Sequence, residues 1–265
     1  MPLSVGLLGT GRLGSAIRAA AASQDDVEVV WAVGRGTVLD GPAPVDVAVD
    51  VSSADAVADH LAWARRTGTP LVVGTTGWDP VLVPADVDLP VLVAPNFSLG
   101  VALVEQLARA LGRYAAHAPS PVDLAVTDTH HRHKVDAPSG TAVLLREALV
   151  AGTRGDGSGG DDRGAGPHPV QTTSLRVGEV VGRHEVLAAS ALETITITHE
   201  AHDRAIFAAG ALTAARWLVG RPAGRWSMAD LAAEHLTTLA GPASTTGAAG
   251  TPPTTPGAPA PDAAA

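Results

Sequence analysis

Short apolar runs alternate with helical stretches through the first hundred residues. The runs at 3–8, 27–33, 45–51, 71–73 and 91–93 are short enough for buried strands. Between them, residues 15–22 and 54–67 have helical character, and Gly68 ends the second helix. Strands that alternate with helices predict a doubly wound parallel sheet, so the chain is expected to be an α/β protein with a Rossmann-like N-terminal part.

The second half of the chain has a different pattern. Apolar positions at Val104, Leu107, Ala108 and Leu111 have helical spacing within a helix predicted over residues 99–116. Strands are predicted at 123–127, 170–177, 179–188 and 193–199, and helices at 139–149, 206–219 and 227–239. The short connections between the last three strands favour a mixed or antiparallel sheet in a second, α+β domain.

Two segments lack core-forming residues. Residues 152–169 are rich in glycine and aspartate, which is typical of a mobile surface loop. Residues 241–265 consist mostly of alanine, proline, threonine and glycine, and we expect this tail to be disordered.

The composition excludes several classes of protein. The 265 residues carry a net charge of −9, which disfavours nucleic acid as a partner. The chain has no cysteine, so disulfides and cysteine-based metal sites are excluded. The first residues enter a strand without a signal sequence, and no apolar run is long enough to span a bilayer. These features predict a soluble cytoplasmic protein without a membrane partner.

A glycine motif follows the first predicted strand and opens the first helix. Its residues are Gly9, Thr10, Gly11, Arg12, Leu13 and Gly14, in the order G-x-G-x-x-G. In this context the first glycine allows a tight turn, the second lets a pyrophosphate approach the backbone, and the third lets the helix pack on the strand. The motif therefore predicts a dinucleotide site.

The end of the second predicted strand bears on which dinucleotide is bound. An NAD-preferring site usually carries a carboxylate there, whereas an arginine accommodates the 2′-phosphate of NADP. Here the strand runs into Gly34 and Arg35. Arg35 favours NADPH, with NADH still possible, and the alternative is that Arg35 lies on a solvated loop.

Two further short motifs follow strands of the same predicted sheet. They are Gly74-Thr75-Thr76 and Ala94-Pro95-Asn96-Phe97, and Asn96 is the only asparagine in the chain. Ligands of such sheets bind outside the carboxyl ends of the strands, so both motifs are candidates for nicotinamide binding. Each could also be an ordinary turn.

The most informative segment lies at the end of the strand predicted at 123–127. Lys134, the only lysine in the chain, stands beside His130, His131 and His133 on what is predicted to be a loop. A lysine and a histidine can release or accept protons, which an arginine cannot do. The N–H groups at the start of the next helix, at Ser139-Gly140-Thr141, form a potential carboxylate or phosphate site. The segment alone also allows a metal site or a solvated loop with a helix cap.

These motifs resemble the 4-hydroxy-tetrahydrodipicolinate (dihydrodipicolinate) reductase family over about residues 3–240. The resemblance rests on the segment 130–141, on Gly74-Thr75-Thr76-Gly77 and Ala94-Pro95-Asn96-Phe97, and on residues 176–182. It implies reduction of a cyclic dicarboxylate by NADH or NADPH, with loss of water, in the diaminopimelate route to lysine. It also implies a homotetramer joined through the second domain.

The resemblance implies roles for individual residues. His130 would be the proton donor or acceptor and Lys134 the proton donor, while His131, Gly140 and Thr141 would bind substrate. The cofactor would be lined by Gly9, Thr10, Gly11, Arg12, Leu13, Gly14, Arg35, Gly74, Thr75, Thr76, Ala94, Pro95, Asn96 and Phe97, and no metal is expected. Residues 1–97, completed by 207–240, would form the dinucleotide-binding domain, and 98–206 the substrate-binding and oligomerisation domain.

The chain departs from the family pattern in two places. Its glycine loop is one residue shorter than in several relatives, and Gly34 stands where many relatives have an acidic residue. Two other functions are compatible with the sequence: a catalytically silent NADP-binding sensor or scaffold, and a metal-dependent hydrolase that uses the histidine cluster. The sequence offers the hydrolase no plausible carboxylate–histidine ligand set.

Overall fold

The apolar runs become the strands of two separate sheets. The computed structural model describes residues 1–34, 43–154 and 169–240. Its strands are β1 Leu3–Leu8, β2 Val27–Val33, β3 Val47–Asp50, β4 Leu71–Val73, β5 Pro90–Val93, β6 Asp123–His130, β7 Gln171–Arg176, β8 Gly182–Ala189, β9 Thr194–Ala201 and β10 Gly224–Ser227. Its α-helices are α1 Arg12–Ala22, α2 Val57–Thr67, α3 Leu99–His117, α4 Gly140–Arg154, α5 Ala205–Leu218 and α6 Met228–Ala240, with short 3₁₀ helices at Ala54–Ala56 and Pro80–Leu82.

The first sheet has six parallel strands in the order β10-β5-β4-β3-β1-β2. Both of its faces are buried, as the continuous apolar strands require. On β3, Val47 and Val49 belong to the core beneath α1, α5 and α6, whereas Ala48 belongs to the core beneath α2. The Rossmann-like fold predicted from the sequence is therefore confirmed.

The second sheet is mixed, with the strand order β7-β6-β8-β9. β6 pairs in parallel with β7 and antiparallel with β8, and β8 pairs antiparallel with β9. One face packs against α3 and α4 through a core that contains Val126, Leu145 and Val186. The opposite face, called the open sheet face below, carries Thr127, Leu175 and Leu187.

The observed elements differ from the predicted ones at several ends. α1 begins at Arg12 rather than Ser15, β8 begins at Gly182 rather than Glu179, and α4 continues to Arg154, so residues 152–154 are helical rather than loop. β10 was not predicted, because its sequence Gly-Arg-Trp-Ser has no apolar alternation and its extended form depends on pairing with β5. With α5 and α6, β10 returns the chain to the first sheet.

One of these differences bears on the predicted catalytic segment. β6 extends through His130, whereas the sequence placed His130 on a loop after a strand ending at Thr127. The strand is longer because Thr129 and His130 continue the pairing with Leu175 and Arg176 of β7. His130 is therefore held by a sheet.

Three sequence-based predictions lie wholly or largely outside the described residues. They concern Arg35, the loop at 152–169 beyond residue 154, and the tail at 241–265. Among the described residues, no helix combines the length and the apolar character that crossing a bilayer would need.

Candidate active site

The glycine motif forms the turn between β1 and α1 at the carboxyl edge of the first sheet. Gly9 has a φ of +121°, a region that side chains other than hydrogen rarely adopt. A Cβ on Gly14 would lie 2.0 Å from the Gly9 carbonyl oxygen, so only glycine allows α1 to pack this closely. Gly11 caps α1 without a side-chain hydrogen bond, which leaves the first N–H groups of the helix open to a ligand. Thr10, Gly11 and Arg12 are exposed, and this cradle fits a pyrophosphate.

The loop after β4 lies at the same edge, but its side chains differ in what they offer. The Thr75 hydroxyl donates to Asp50 Oδ1 at 2.8 Å and accepts from the Ser52 N–H at 2.9 Å, so it faces the interior. Gly74 must be glycine because a Cβ there would lie 2.3 Å from the Phe97 ring. The Thr75 side chain is therefore not offered to a ligand, whereas Thr76 lines an open cavity.

The motif after β5 has two buried residues and two residues that line the cavity. The side chains of Ala94 and Phe97 belong to the buried core of the first sheet. Pro95 and Asn96 line the cavity. Asn96 Nδ2 donates to Thr141 Oγ1 of the second domain at 3.1 Å, and its Oδ1 accepts from the Ser98 N–H at 2.8 Å. A predicted cofactor residue thus contacts a predicted substrate residue.

The cavity lies between the two domains and has a volume of about 910 Å³. Thr76, Pro95 and Asn96 line it from the first domain. From the second domain it is lined by His130, Lys134, Ser139, Gly140 and Thr141. Neither His131 nor the glycine motif lines it. The structure therefore brings together one part of each predicted site, with room for a small ring between them.

His130 is fixed by a buried carboxylate on its own strand. His130 is 8% exposed, and its Nδ1 lies 3.1 Å from Oδ2 of Asp128. Because a carboxylate can only accept, this contact requires the imidazole proton on Nδ1. Burial lowers the pKa of His130 below its ordinary value of 6.5, and the charge of Lys134 lowers it further, against the raising effect of Asp128. His130 is therefore neutral at pH 7.

Asp128 is fully buried and charged. Its Oδ1 accepts a short hydrogen bond from the Ser174 hydroxyl, and Arg176 Nη1 lies 3.1 Å from Oδ2. Burial alone would raise the pKa of Asp128. The Ser174 hydrogen bond and the charge of Arg176 outweigh that effect, so the pKa lies below the ordinary value of 3.8.

A row of polar side chains continues from Asp128 across the buried face of the second sheet. Strand pairing sets Asp128 opposite His184, and His184 opposite His199. Burial, with a smaller effect from His130, lowers the pKa of His184 to about 4, and burial also lowers the pKa of His199. The His184 ring meets that of His130 edge-on at 5.1 Å, and its Nε2 lies 3.3 Å from the Ser139 hydroxyl. The row therefore joins His130 to the start of α4.

The start of α4 has the form of an anion site. The Ser139 hydroxyl accepts from the Ala142 N–H at 3.1 Å, and the Ser139 carbonyl accepts from the Val143 N–H. Neither contact uses the N–H groups of Gly140 or Thr141, and a Cβ on Gly140 would meet no atom within 4 Å. The open space at Gly140 leaves room for a carboxylate to approach the helix start.

One cation lines the cavity, and a second stands beside His131. Lys134 Nζ pairs with Asp136 Oδ1 at 2.8 Å, and that hydrogen bond lowers the pKa of Asp136. Arg204, which precedes α5, places Nη2 3.5 Å from His131 Nε2. Arg204 is not among the residues predicted from sequence, because no local motif marks it.

Asp128, Arg176 and His184 are further residues that the sequence analysis missed. Asp128 is two residues before His130 on one strand, so the strand period of two could have placed them on one face. The contribution of His184 depends on β6 pairing with β8, which local pattern does not specify.

A carboxylate–histidine set does occur in the structure, contrary to the expectation from sequence. Ligand atoms of Asp128, His130 and His184 lie within 4.8 Å of one another, and all three residues are buried. Local sequence could not show this set because β8 supplies His184 from 54 residues beyond His130. Both carboxylate oxygens of Asp128 already have donors, from Ser174 and Arg176, and the guanidinium repels a second cation. The set serves to orient His130.

Comparison with protein families decides what kind of protein carries this site. Residues 3–97 match the model of the dihydrodipicolinate reductase N-terminus, and residues 100–232 match that of its C-terminus. The chain belongs to the dihydrodipicolinate reductase family. The family resemblance predicted from sequence is confirmed, and the two matched segments meet at the cavity described above.

Curated members of the reductase family are similar over most of the chain. The 4-hydroxy-tetrahydrodipicolinate reductase of Acidiphilium cryptum is 39% identical over 242 residues, covering 86% of this chain and 97% of that protein. The reductase of the same name from Zymomonas mobilis is 39% identical over 254 residues, covering 86% and 96%. The dipicolinate-bound dihydrodipicolinate reductase of Paenisporosarcina sp. TG-14 shares the fold, with a TM-score of 0.67 at 21% identity, covering 86% of this chain and 98% of that one.

Proposed function

We propose that the chain is a 4-hydroxy-tetrahydrodipicolinate reductase. The reaction converts (2S,4S)-4-hydroxy-2,3,4,5-tetrahydrodipicolinate to tetrahydrodipicolinate, in lysine biosynthesis through diaminopimelate. The substrate loses water, and the resulting conjugated ring takes up a hydride and a proton. Family membership and curated relatives of that activity support the proposal.

The observation that carries the proposal is the hydrogen bond from Asn96 to Thr141. Asn96 follows β5 of the first sheet, and Thr141, the second residue of α4, lines the same cavity as Lys134. A ring bound at Thr141 would therefore face a nicotinamide bound along the loops after β4 and β5. Such placement holds two reactants in orientation, which can lower the barrier of a reaction substantially.

Two positive regions suit the two carboxylates of the substrate. The N–H groups of Gly140 and Thr141 would hold one carboxylate at the positive end of α4. We assign the other to the neighbouring pair His131 and Arg204, since a guanidinium binds a carboxylate bidentately. These contacts would fix the ring before chemistry.

Lys134 and His130 have different roles in this proposal. When bound, NADPH supplies a hydride from C4 of its nicotinamide ring. The ammonium of Lys134 then donates a proton to the carbanion that the hydride leaves on the ring, and solvent restores the ammonium. His130 is neutral, so it accepts or relays a proton and orients the substrate, and Asp128 holds its ring in place.

NADPH is the proposed cofactor, and NADH is a possible substitute. Membership of the family supports a pyridine nucleotide in general. The preference for NADPH rests on Arg35 and on the lack of a carboxylate at Gly34. Thr10 Oγ1 would lie 3.0 Å from a Cβ on Gly34, so the glycine keeps the end of β2 close to the glycine motif.

We further propose a cytoplasmic homotetramer joined through the open sheet face. Leu175 of the edge strand β7 lies on that face and is 49% exposed, which is unusual for a large apolar side chain. The threonines of β6, β7 and β9 give the face a mixed polarity, which suits a contact between subunits. The absence of cysteine suits a reducing compartment.

Steady-state kinetics on purified protein tests the proposed function. We expect turnover of 4-hydroxy-tetrahydrodipicolinate, followed through loss of NADPH absorbance, with a higher kcat/KM for NADPH than for NADH. Turnover that survives a chelator would count against a metal-dependent hydrolase. Tight NADPH binding with no turnover would instead identify a silent sensor or scaffold and would contradict the proposal.

A further inference from the structure

A second buried carboxylate lies outside the residues assigned so far. Asp50 ends β3 and is fully buried. Its Oδ1 accepts from the Ser52 N–H at 3.0 Å, from the Ser52 hydroxyl at 2.6 Å and from the Thr75 hydroxyl at 2.8 Å. His60 of α2 places Nδ1 2.7 Å from Oδ2. Removing a carboxylate from water this completely costs free energy unless the carboxylate is hydrogen-bonded, as that of Asp50 is.

The Asp50 backbone reaches the same loops as its side chain. Its carbonyl oxygen accepts from the Gly74 N–H at 2.8 Å and from the Thr75 N–H at 3.2 Å. The side chain holds Thr75 again through its hydroxyl, and that hydroxyl accepts from the Ser52 N–H. Asp50 thus holds the loops after both β3 and β4, and His60 contacts its other carboxylate oxygen, Oδ2.

These hydrogen bonds fix the position of the loop after β4. The Thr75 hydroxyl points inward and bonds to Asp50, and the Phe97 ring packs against Gly74. These two contacts hold the loop against the protein interior. Thr76, the next residue, lines the cavity between the domains. A shift of the loop would therefore move the part of the site nearest to a bound nicotinamide.

We propose that Asp50, with His60, Ser52 and Thr75, is a clamp of positioning residues that holds the loop Gly74–Thr76 for the nicotinamide half of the cofactor. The inference rests on the proposed function, because it requires that this loop meets the nicotinamide. Ser52 borders the glycine motif, since its backbone nitrogen would lie 3.0 Å from a Cβ on Gly9. The side chains of Asp50, His60 and Thr75 hydrogen-bond to one another and to Ser52. Loss of these side chains should therefore weaken the nicotinamide half of the cofactor more than the adenosine half.

Binding of a whole nucleotide and of its fragment separates these halves. Dissociation constants would be measured by calorimetry for NADPH and for 2′-phospho-ADP-ribose, which lacks nicotinamide, or for NADH and ADP-ribose if the wild type uses NADH. In Asp50→Asn and His60→Gln we expect the Kd of the whole nucleotide to rise about ten-fold, since each loses a hydrogen bond to a charged group. The Kd of the fragment should stay within about two-fold of the wild-type value.

Matched variants guard against a general loss of structure. Asp46, at the other end of β3, also accepts from a serine N–H and hydroxyl, those of Ser4. Asp46→Asn should leave both constants unchanged. Thr75→Val should behave as Asp50→Asn does, and Thr75→Ser, which keeps the hydroxyl, should restore binding. The Thr75 pair keeps the test decisive if Asp50→Asn does not fold.

Two results would overturn the inference. One is an equal loss of whole nucleotide and fragment in the clamp variants, and the other is no loss of either, both with a wild-type enzyme that turns over substrate. If the wild type itself neither binds a nicotinamide nucleotide nor turns over, the proposed function fails and the inference fails with it.

Discussion

The buried histidine beside His130 makes stability depend on pH in a window that can be calculated. Burial lowers the pKa of His184 to about 4, from 6.5 when exposed. Between these values the unfolded chain binds a proton that the folded chain does not. Stability is therefore full above pH 6.5 and falls as the pH drops toward 4. Each pH unit in that window costs about 1.4 kcal/mol, so the whole window costs about 3 kcal/mol.

The substitution His184→Gln removes the titrating group and can keep a hydrogen bond to the Ser139 hydroxyl. Unfolding in urea, followed by tryptophan fluorescence from pH 4.5 to 8, gives the free energy of unfolding for wild type and variant. We expect the wild type to lose up to about 3 kcal/mol more than the variant on acidification. The matched control for the loss of one histidine is His117→Gln, at the exposed end of α3.

Equal slopes in wild type and His184→Gln would refute the reasoning, because they would mean that His184 is protonated in the folded state. His130 and His199 also have lowered pKa values and contribute in the same direction, which is why the difference between the two proteins is the test.

Three further predictions follow from the site and the open sheet face. Lys134→Ala should lower kcat by about 10²-fold. Lys134→Arg keeps the charge but has no releasable proton, so it should not restore kcat. An unchanged kcat with a raised KM would mean that Lys134 only binds substrate. Arg35→Ala should raise the KM for NADPH about ten-fold and leave that for NADH unchanged, and equal effects on the two would remove the argument for NADPH. Leu175→Glu should lower the mass measured by light scattering below that of a tetramer, whereas Val81→Glu, at an exposed position of the first domain, should not; a tetramer that survives Leu175→Glu would place the contact elsewhere.

Local sequence predicts most of the first domain because its determinants are local. Gly9 is required by a turn, and Gly14 is required by the close contact of α1 with that turn. Both lie within one six-residue motif. Gly68 ends α2, as predicted, and it does so in the left-handed conformation. Ser227 and Asp230 cap α6 reciprocally, through Ser227 N–H to Asp230 and Asp230 N–H to Ser227.

The candidate site was predicted less completely, because its supporting residues meet through strand pairing. Asp128 meets Ser174 and His184 only once β6 lies between β7 and β8. Asp50 meets Thr75 through the pairing of β3 with β4. The histidines and the lysine lie close together in the sequence, and this cluster indicated a reactive site. The buried carboxylates of Asp128 and Asp50 lie on strands, where the local sequence pattern gives no sign of the groups that they will contact.

The most direct test is a crystal structure of the protein with NADPH and pyridine-2,6-dicarboxylate, a planar mimic of the substrate. We expect the mimic in the cavity between the domains, with one carboxylate at the N–H groups of Gly140 and Thr141, its ring beside Lys134 and the nicotinamide stacked over it. A mimic bound away from Lys134, or a nicotinamide that does not reach the loops after β4 and β5, would contradict the account.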